Sequence, residues 1–241
     1  MGLEQVADGV WMLRGDFRKA MNIFFIAEDD GGGVVMFDAG TQAMRKKARA
    51  AADELGGCRR VVLGHAHCDH RGSAPYMGAP VYCHPDEVAD AENDSWRAPY
   101  WHLELLPVTP IRWLYERVLL PRWDGGAVKI AGTVAEGDEI ASGFQVLHLP
   151  GHAPGLIGLW RERDRVALVS DVVYLVDSGR LKPLPHGEAS VPHPAWAWNH
   201  ERARESVRRL AALEPEVVCA GHEEPMRGPG LRETLERAAE K

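Results

Sequence analysis

The chain has 241 residues, of which 45% are hydrophobic and 26% are charged, as is usual for a globular protein. It carries 28 Lys and Arg against 35 Asp and Glu, so its formal net charge is −7. This acidic balance argues against a general nucleic-acid binder, which needs an excess of basic side chains on one face. The four cysteines are too few, in a chain of this length, to form a disulfide framework.

The N-terminal sequence MGLEQVADGVWML has acidic and polar residues where a secretory signal would have a basic start and an apolar run. No segment approaches the roughly 18 uninterrupted apolar residues that are typical of a membrane span. We therefore expect a cytoplasmic protein without a membrane partner.

Short apolar runs bounded by glycine and charge predict the strands of the first half of the chain. These strands are Val10–Leu13, Asn22–Ala27, Val34–Phe37, Arg60–Leu63 and Val81–Cys83. Thr41 is placed to cap a helix that ends at the glycine pair Gly56 and Gly57. A further helix is predicted to begin at Pro85.

The second half repeats this rhythm of strands and helices. The predicted strands are Ala127–Ile130, Phe144–Leu149, Leu156–Trp160, Arg165–Ser170 and Glu216–Ala220. Amphipathic spacing predicts a helix over Asn199–Leu213, and a terminal helix is predicted over Arg232–Ala239. This pattern indicates an α/β chain with two sheets and helices outside. Because no low-complexity linker divides the halves, we interpret residues 1–241 as one domain.

The segment Trp96–Trp123, between the two halves, is unusually aromatic. It contains four of the eight tryptophans together with two tyrosines: Trp96, Trp101, Trp113, Trp123, Tyr100 and Tyr115. Such an insertion is usually part of the core or a contact in a homodimer, and a lid over a substrate pocket is the alternative. The sequence leaves these alternatives open.

The run HAHCDH places four potential metal ligands within six residues: His65, His67, Asp69 and His70. Imidazole nitrogens and carboxylate oxygens are ligands that Zn²⁺ and its first-row neighbours accept. The run directly follows an apolar strand, so we expect these side chains in a loop at the carboxyl end of that strand. A single His-x-His pair arises easily by chance, whereas four ligand types in six positions indicate a metal site.

Further residues of ligand type stand in the same context, directly after an apolar strand. They are His152 in LPGHAPG, Asp171 at the end of VALVSD and His222 in CAGH. Each alone would more often be a capping residue, but beside HAHCDH they reinforce one another. Asp38 in VVMFDAG is a fourth such residue, and we expect it to orient a ligand rather than bind metal.

The order His-x-His-x-Asp-His followed by His152, Asp171 and His222 resembles the metallo-β-lactamase superfamily, and the resemblance spans Asp38 to His222. It implies a four-layer αβ/βα sandwich with two mixed sheets, helices outside and a site at one edge between the sheets. It also implies two metal ions, which are assigned their ligands residue by residue. One would be held by His65, His67 and His152, the other by Asp69, His70 and His222, with Asp171 bridging the two.

Two dications that share a water lower its pKa, so that hydroxide is available at neutral pH. The resemblance therefore implies a binuclear-metal-dependent hydrolase in which a metal-bridging hydroxide attacks a small carbonyl substrate. Asp69 would guide the proton as the bond breaks. We expect the metals to be Zn²⁺, with Mn²⁺ or iron as alternatives, and the partner to be a small molecule.

Within the superfamily, the sequence is most similar to the glyoxalase II and acyl-homoserine lactone hydrolase branches. Lactonases of this fold carry a tyrosine three residues after the bridging aspartate, and Tyr174 stands three residues after Asp171 here. Its phenol would donate a hydrogen bond to the developing oxyanion, and simple packing is the alternative. The aromatic segment would suit an apolar acyl group, so lactones or esters are slightly favoured over thioesters.

Two other enzyme classes remain alternatives. A β-lactamase is disfavoured by Asp171 and by the expected absence of a signal peptide. Persulfide dioxygenases share the His-x-His-x-Asp-His motif but use one iron, held by two histidines and an aspartate. In that case His67, His70 and His222 would not hold a second metal.

Some residues near the motif have simpler interpretations. Cys68 lies inside the motif, but we expect this small thiol to face the protein interior. The acidic run Glu87–Asp94 is expected to be a solvated helix face. His186 and His193 lie in a proline-rich loop that could border the pocket.

Overall fold

The computed structural model describes residues 2–16, 19–95, 97–106, 113, 115–179, 182–185 and 187–241. Trp96 and His186, which the sequence analysis singles out, lie outside the described residues. Among the described residues, no helix is both long and apolar enough to cross a lipid bilayer.

The described strands alternate with mostly short helices. The strands are β1 Leu3–Ala7, β2 Val10–Gly15, β3 Met21–Ala27, β4 Val34–Phe37, β5 Cys58–Val62, β6 Val81–Cys83, β7 Ile130–Thr133, β8 Gln145–His148, β9 Ile157–Arg161, β10 Val166–Ser170, β11 Val176–Asp177, β12 Lys182–Pro183, β13 Val217–Ala220 and β14 Met226–Arg227. The α-helices are α1 Arg45–Glu54, α2 Cys68–Arg71, α3 Val88–Ala91, α4 Leu120–Trp123, α5 His200–Ala212 and α6 Leu231–Glu240. Single turns of 3₁₀-helix are Gln42–Met44, Ala74–Tyr76, Pro85–Glu87, Leu103–Leu105, Glu162–Asp164 and Pro194–Trp196, and Tyr115–Leu119 forms a π-helix.

Most predicted strands and helices are present with bounds that differ by one to three residues. The short strands β11, β12 and β14 were not predicted, and other details of the prediction were wrong. The sequence analysis missed β1, because in this edge strand only Val6 is buried and the apolar alternation is weak. The strand predicted over Ala127–Ile130 instead begins at Ile130, where it pairs with Val81 of β6. Thr41 does not cap α1, since its hydroxyl donates to the carboxylate of Asp16.

The strands form two mixed sheets, as predicted. The larger has the order β1-β2-β3-β4-β5-β6-β7, antiparallel from β1 to β4 and parallel from β4 to β7. The smaller has the order β14-β13-β10-β9-β8, in which β10 and β13 are parallel and the other pairs are antiparallel. A separate ribbon joins β11 to β12.

Alternation along the strands divides the apolar side chains among three core layers. In β3, Phe24 and Ile26 face the core between the two sheets, where they join side chains of the smaller sheet such as Leu159. The neighbouring Ile23 and Phe25 belong to the core beneath α1. The opposite face of the smaller sheet packs against α5 and α6. The result is the four-layer order of helix, sheet, sheet and helix that the resemblance implied.

The two sheets come together at one edge, at the carboxyl ends of several strands. The backbone N–H of Ile157 in β9 donates to the carbonyl of Gly64, 2.8 Å away, just after β5. At the same edge, the N–H of Asn22 in β3 donates to the carbonyl of Gly221, 2.9 Å away, just after β13. The loops that follow β4, β5, β10 and β13 therefore converge there.

Candidate metal centre

The HAHCDH motif lies where the end of β5 passes close to the end of β10. A side chain at Gly64 would place its Cβ 2.6 Å from the Cβ of Ser170, so glycine permits this approach. The chain then turns into α2, and the carbonyl of His67 accepts from the N–H groups of His70 and Arg71. This turn points the ligand-type side chains of the motif toward the smaller sheet.

The seven residues that the sequence analysis assigned as metal ligands form one continuous cluster. Within each of three overlapping groups, one ligand atom per residue lies within 4.8 Å of the others. The groups are His65, His67 and His152; His65, His70 and Asp171; and Asp69, His70 and His222. The structure therefore brings together the two predicted ligand sets, and Asp171 lies between them.

The centre of this cluster contains buried polar atoms without a partner in hydrogen-bond geometry. These atoms are Nε2 of His65, Nε2 of His70 and Oδ1 of Asp171. The last two are 3.1 Å apart. A buried polar atom left unsatisfied costs about 1–3 kcal/mol, so several at one point call for a common partner. A divalent first-row metal fits them, because imidazole nitrogens and carboxylate oxygens are its preferred ligands.

One side of the cluster is enclosed by His67 and His152. Nδ1 of His67 lies 2.9 Å from Nε2 of His152, and that nitrogen lies 3.4 Å from Oδ2 of Asp171. Both histidines are buried. These three side chains therefore direct ligand atoms at one another in a place that excludes water.

The other side of the cluster is open to solvent. Nε2 of His222 lies 3.3 Å from Oδ2 of Asp171 and 3.9 Å from Oδ2 of Asp69. The side chains of His222 and Asp69 are 17% and 15% exposed, whereas that of His70 is fully buried. The cluster is therefore accessible to solvent from the Asp69 and His222 side.

The histidines on the enclosed side are neutral at pH 7. Burial, followed by the neighbouring imidazoles, holds the pKa values of His65 and His67 well below the ordinary range. Burial likewise lowers the pKa of His152 to about 4. Neutral imidazoles keep a lone pair available, which is the state that binds metal.

On the side of Asp69 and His222, the carboxylates and imidazoles shift one another's pKa values, unlike on the enclosed side, where burial dominates. Burial alone would lower the pKa of His70, but Asp171, Asp38 and Asp69 outweigh it and raise that pKa well above the ordinary value. Burial would raise the pKa of Asp171, yet His222 and His70 hold it well below its usual range. The pKa of Asp69, by contrast, is raised by burial.

Asp38 contacts the cluster through Nδ1 of His70 and is not itself one of the seven clustered residues. Its Oδ2 lies 2.9 Å from Nδ1 of His70 and accepts from the hydroxyl of Ser170 at 2.7 Å. Its Oδ1 accepts from the N–H of Gly64 at 2.7 Å. Asp38 therefore orients the ring of His70 so that Nε2 faces Asp171.

Tyr174 lies beside the cluster with its hydroxyl directed at Asp171. The hydroxyl donates to Oδ2 of that aspartate, and the ring stacks on His222 with centroids 5.4 Å apart. Burial and the Asp171 charge raise the pKa of the phenol well above its ordinary value. Tyr174 is therefore a protonated hydrogen-bond donor at neutral pH.

The described part of the aromatic segment packs directly against the motif. The hydroxyl oxygen of Tyr100 lies 2.7 Å from Nε2 of His67, and the ring of Trp101 meets the His67 ring edge-on at 4.7 Å. Trp101 is buried in a cluster with Cys68 and Leu103, which confirms that Cys68 faces the interior. Trp113, in contrast, is 61% exposed. The sequence analysis found the segment but not the contact between Tyr100 and His67.

Glu87 is a supporting residue that the sequence analysis interpreted wrongly. It was expected on a solvated helix face, but its side chain is fully buried and α3 spans only the four residues Val88–Ala91. Its carboxylate accepts from the N–H of Ala66 at 2.8 Å and from the N–H of Gly155 at 2.7 Å. It thereby links the HAHCDH loop to the loop that carries His152. The available signal was its position shortly after a buried strand, as for Asp38.

Within the described part of the chain, one further group of ligand type lies outside this cluster. It consists of His84, Asp86 and His148, whose two imidazole rings stack with centroids 4.2 Å apart. Nδ1 of His84 accepts from the N–H of Asp86, and Nε2 of His148 lies 3.0 Å from the carbonyl of Pro154. Hydrogen bonds within the protein thus already engage one nitrogen of each ring.

Fold and site together define a metal-dependent hydrolase built on a four-layer sandwich. The family model of the metallo-beta-lactamase superfamily matches residues 19–222. The chain therefore belongs to the metallo-β-lactamase superfamily.

Among curated proteins, the chain is 27% identical over 237 residues to the probable metallo-hydrolase YflN of Bacillus subtilis, covering 90% of this chain and 86% of YflN. It is 28% identical over 206 residues to the hydroxyacylglutathione hydrolase GloC of Haemophilus influenzae, covering 80% and 82% of the two chains. The solved structure of the metallo-beta-lactamase family protein TTHA1429 from Thermus thermophilus has the same fold. Its TM-score is 0.64 at 24% identity, over 98% of this chain and 78% of that one.

Proposed function

We propose that this protein is a binuclear-metal hydrolase that cleaves a small carbonyl substrate: a lactone, an ester or a thioester. The observation that carries the proposal is the seven-residue ligand cluster, at whose centre buried atoms of His65, His70 and Asp171 have no partner in hydrogen-bond geometry. The similarity to GloC, a hydroxyacylglutathione hydrolase, supports including thioesters in the substrate class.

The two ligand sets would each hold one divalent metal. We assign His65, His67 and His152 to one ion and Asp69, His70 and His222 to the other, with Asp171 shared. Zn²⁺ suits this donor set, and Mn²⁺ or iron are the alternatives. When bound, two dications supply Lewis acidity that polarises a substrate carbonyl and lowers the pKa of water.

The protein's own contribution is to orient these ligands, to exclude water on one side and to handle the proton. Asp38 holds the ring of His70, and Glu87 holds the two loops that carry His67 and His152. Asp69 lies on the open side, and the raised pKa of its carboxyl suits a group that exchanges a proton with the substrate. Tyr174 is the donor that we assign to the substrate's carbonyl oxygen, because its protonated phenol lies at the cluster.

The geometry favours the binuclear proposal over the mononuclear iron enzyme. A persulfide dioxygenase would need one ion on two histidines and an aspartate, and His67, His70 and His222 would then not hold a second metal. Here His222 forms a ligand group with Asp69 and His70 on the open side of Asp171. Elemental analysis separates the proposals, since one iron per chain with no second metal would contradict the hydrolase.

The substrate test is acid release by purified protein on a matched panel. The panel contains an acyl-homoserine lactone, a glutathione thioester, an aryl ester and a β-lactam. The variants Asp171→Ala and His67→Ala serve as blanks, and we expect each to remain folded and to abolish turnover. Cleavage of the lactone, ester or thioester by the wild type alone supports the proposal. Near-normal activity in both variants with metal still bound would refute the ligand assignment.

If the protein binds two metals but cleaves no substrate of the panel, the proposed substrate class is wrong. Iron content and oxygen uptake with a persulfide would then be measured next. Cleavage of the β-lactam alone would instead indicate a β-lactamase.

A further inference from the structure

Tyr100 contacts the ring nitrogen of His67 that does not face the other ligands. Its hydroxyl oxygen lies 2.7 Å from Nε2 of His67, while Nδ1 of the same ring lies 2.9 Å from Nε2 of His152. His67 is therefore held between the ligand cluster on one side and the aromatic segment on the other.

The contact with Tyr100 affects which nitrogen of the neutral His67 imidazole carries the proton. Such a ring carries one proton, so a metal on Nδ1 requires the proton to be on Nε2. A buried N–H at Nε2 then needs an acceptor, because an unsatisfied buried donor costs about 1–3 kcal/mol. The phenol oxygen of Tyr100 is placed to accept that hydrogen bond.

The surrounding structure holds Tyr100 in this position. The adjacent Trp101 is buried against Cys68 of α2, and its ring meets that of Trp196 edge-on at 5.4 Å. The N–H of His102 donates to the carbonyl of Ala195 at 2.9 Å. The segment therefore packs against α2 and is also bound to the 3₁₀ turn Pro194–Trp196 by a ring contact and a backbone hydrogen bond.

We propose that Tyr100 is a positioning residue that fixes the ring tautomer of His67, so that Nδ1 offers its lone pair to the metal shared with His65 and His152. This inference rests on the proposed function. It assigns the described part of the aromatic segment to the support of the metal centre, a role that no position in the HAHCDH motif reveals.

The test compares the Zn²⁺ affinity of the metal-free wild type with that of Tyr100→Phe, by competition with a chromophoric chelator. We expect one of the two Zn²⁺ ions to bind about 10–100-fold more weakly in the variant, as is usual when the partner of a metal-bound histidine is lost. Tyr76→Phe is the matched control, because Tyr76 is 41% exposed and its hydroxyl bonds to Gln42. Urea unfolding of the metal-free proteins checks that each variant folds.

A second readout follows the ring itself. In Zn²⁺-loaded protein with ¹⁵N-labelled histidine, long-range ¹H–¹⁵N spectra identify which nitrogen of His67 carries the proton. In the wild type we expect a proton on Nε2 that exchanges slowly with solvent, and in Tyr100→Phe a proton that exchanges faster.

The outcomes separate this inference from the proposed function. If the wild type binds two Zn²⁺ and Tyr100→Phe binds them equally well with unchanged exchange, Tyr100 has no positioning role and the hydrolase proposal stands. The same holds if Tyr76→Phe weakens Zn²⁺ binding as much as Tyr100→Phe. If the wild type does not bind two Zn²⁺ ions, the binuclear proposal and this inference are both overturned.

Discussion

The carboxylate of Asp38 lies 2.9 Å from Nδ1 of His70, and both side chains are fully buried. Each residue follows a different strand of the larger sheet, so the contact forms only when β4 and β5 pair. Asp38 also accepts hydrogen bonds from Gly64 and Ser170, so its carboxylate has a fixed position. Its contact with Nδ1 therefore fixes the orientation of the His70 ring. Supporting contacts of this kind commonly determine the affinity of a metal site.

Replacing Asp38 with Asn should weaken metal binding by about 10–100-fold. The amide has the shape of the carboxylate but only one acceptor oxygen, so at least one of the present donors meets an NH₂ group instead. The measurement is the metal retained per chain after equilibration with a chelator. Asp53→Asn, at a carboxylate 65% exposed on α1, is the matched control. Equal retention in Asp38→Asn and wild type would show that His70 does not need this contact.

Replacing Tyr174 with Phe should lower turnover of the true substrate by about 100-fold, the usual effect of removing one donor to a developing oxyanion. Metal content should fall far less, because the other oxygen of Asp171 and the six other proposed ligands are unchanged. The measurements are kcat, KM and metal content on the same preparation, with Tyr76→Phe as control. A rate equal to that of the wild type would assign Tyr174 to packing against His222.

Replacing Glu87 with Gln should reduce the free energy of unfolding by about 1–3 kcal/mol. The carboxylate accepts from the N–H groups of Ala66 and Gly155, whereas an amide would direct its own NH₂ at one of them. Urea unfolding of the metal-free protein measures the effect, and Glu54→Gln on the exposed face of α1 is the control. An unchanged midpoint in Glu87→Gln would contradict a linking role.

Metal uptake should release protons at pH 7 and should become tighter as the pH rises. The nearby carboxylates outweigh burial and raise the pKa values of His70 and His222 in the metal-free protein, so these imidazoles hold protons to a higher pH than a free imidazole does. A metal must displace those protons when it binds. Because both pKa values lie above the ordinary 6.5, the affinity falls as the pH decreases through them. Calorimetry in buffers of different ionisation enthalpy counts the protons. Uptake without proton release would contradict this charge assignment.

The sequence by itself determined most of the strands, the superfamily and the identity of the residues that cluster. The candidate ligands lie in the segments that follow apolar strands, as Asp171 follows β10, and such strands can be recognised locally from their composition. Where the sheets meet, the carboxyl ends of those strands bring the side chains together. The local order of residues marked these candidates, and the resemblance to the superfamily supplied their grouping into one cluster.

The supporting contacts were decided only by the tertiary structure. Tyr100 lies 33 residues from His67 and Glu87 lies 68 residues from Gly155, and neither pair belongs to one helix or strand. Local pattern made Glu87 part of a solvated run, yet its side chain is buried and accepts from two backbone N–H groups of separate loops. Burial outweighs these hydrogen bonds and raises the pKa of its carboxyl to about 7. The sequence shows which side chains can bind a metal. Which groups hold them in place depends on how distant segments pack.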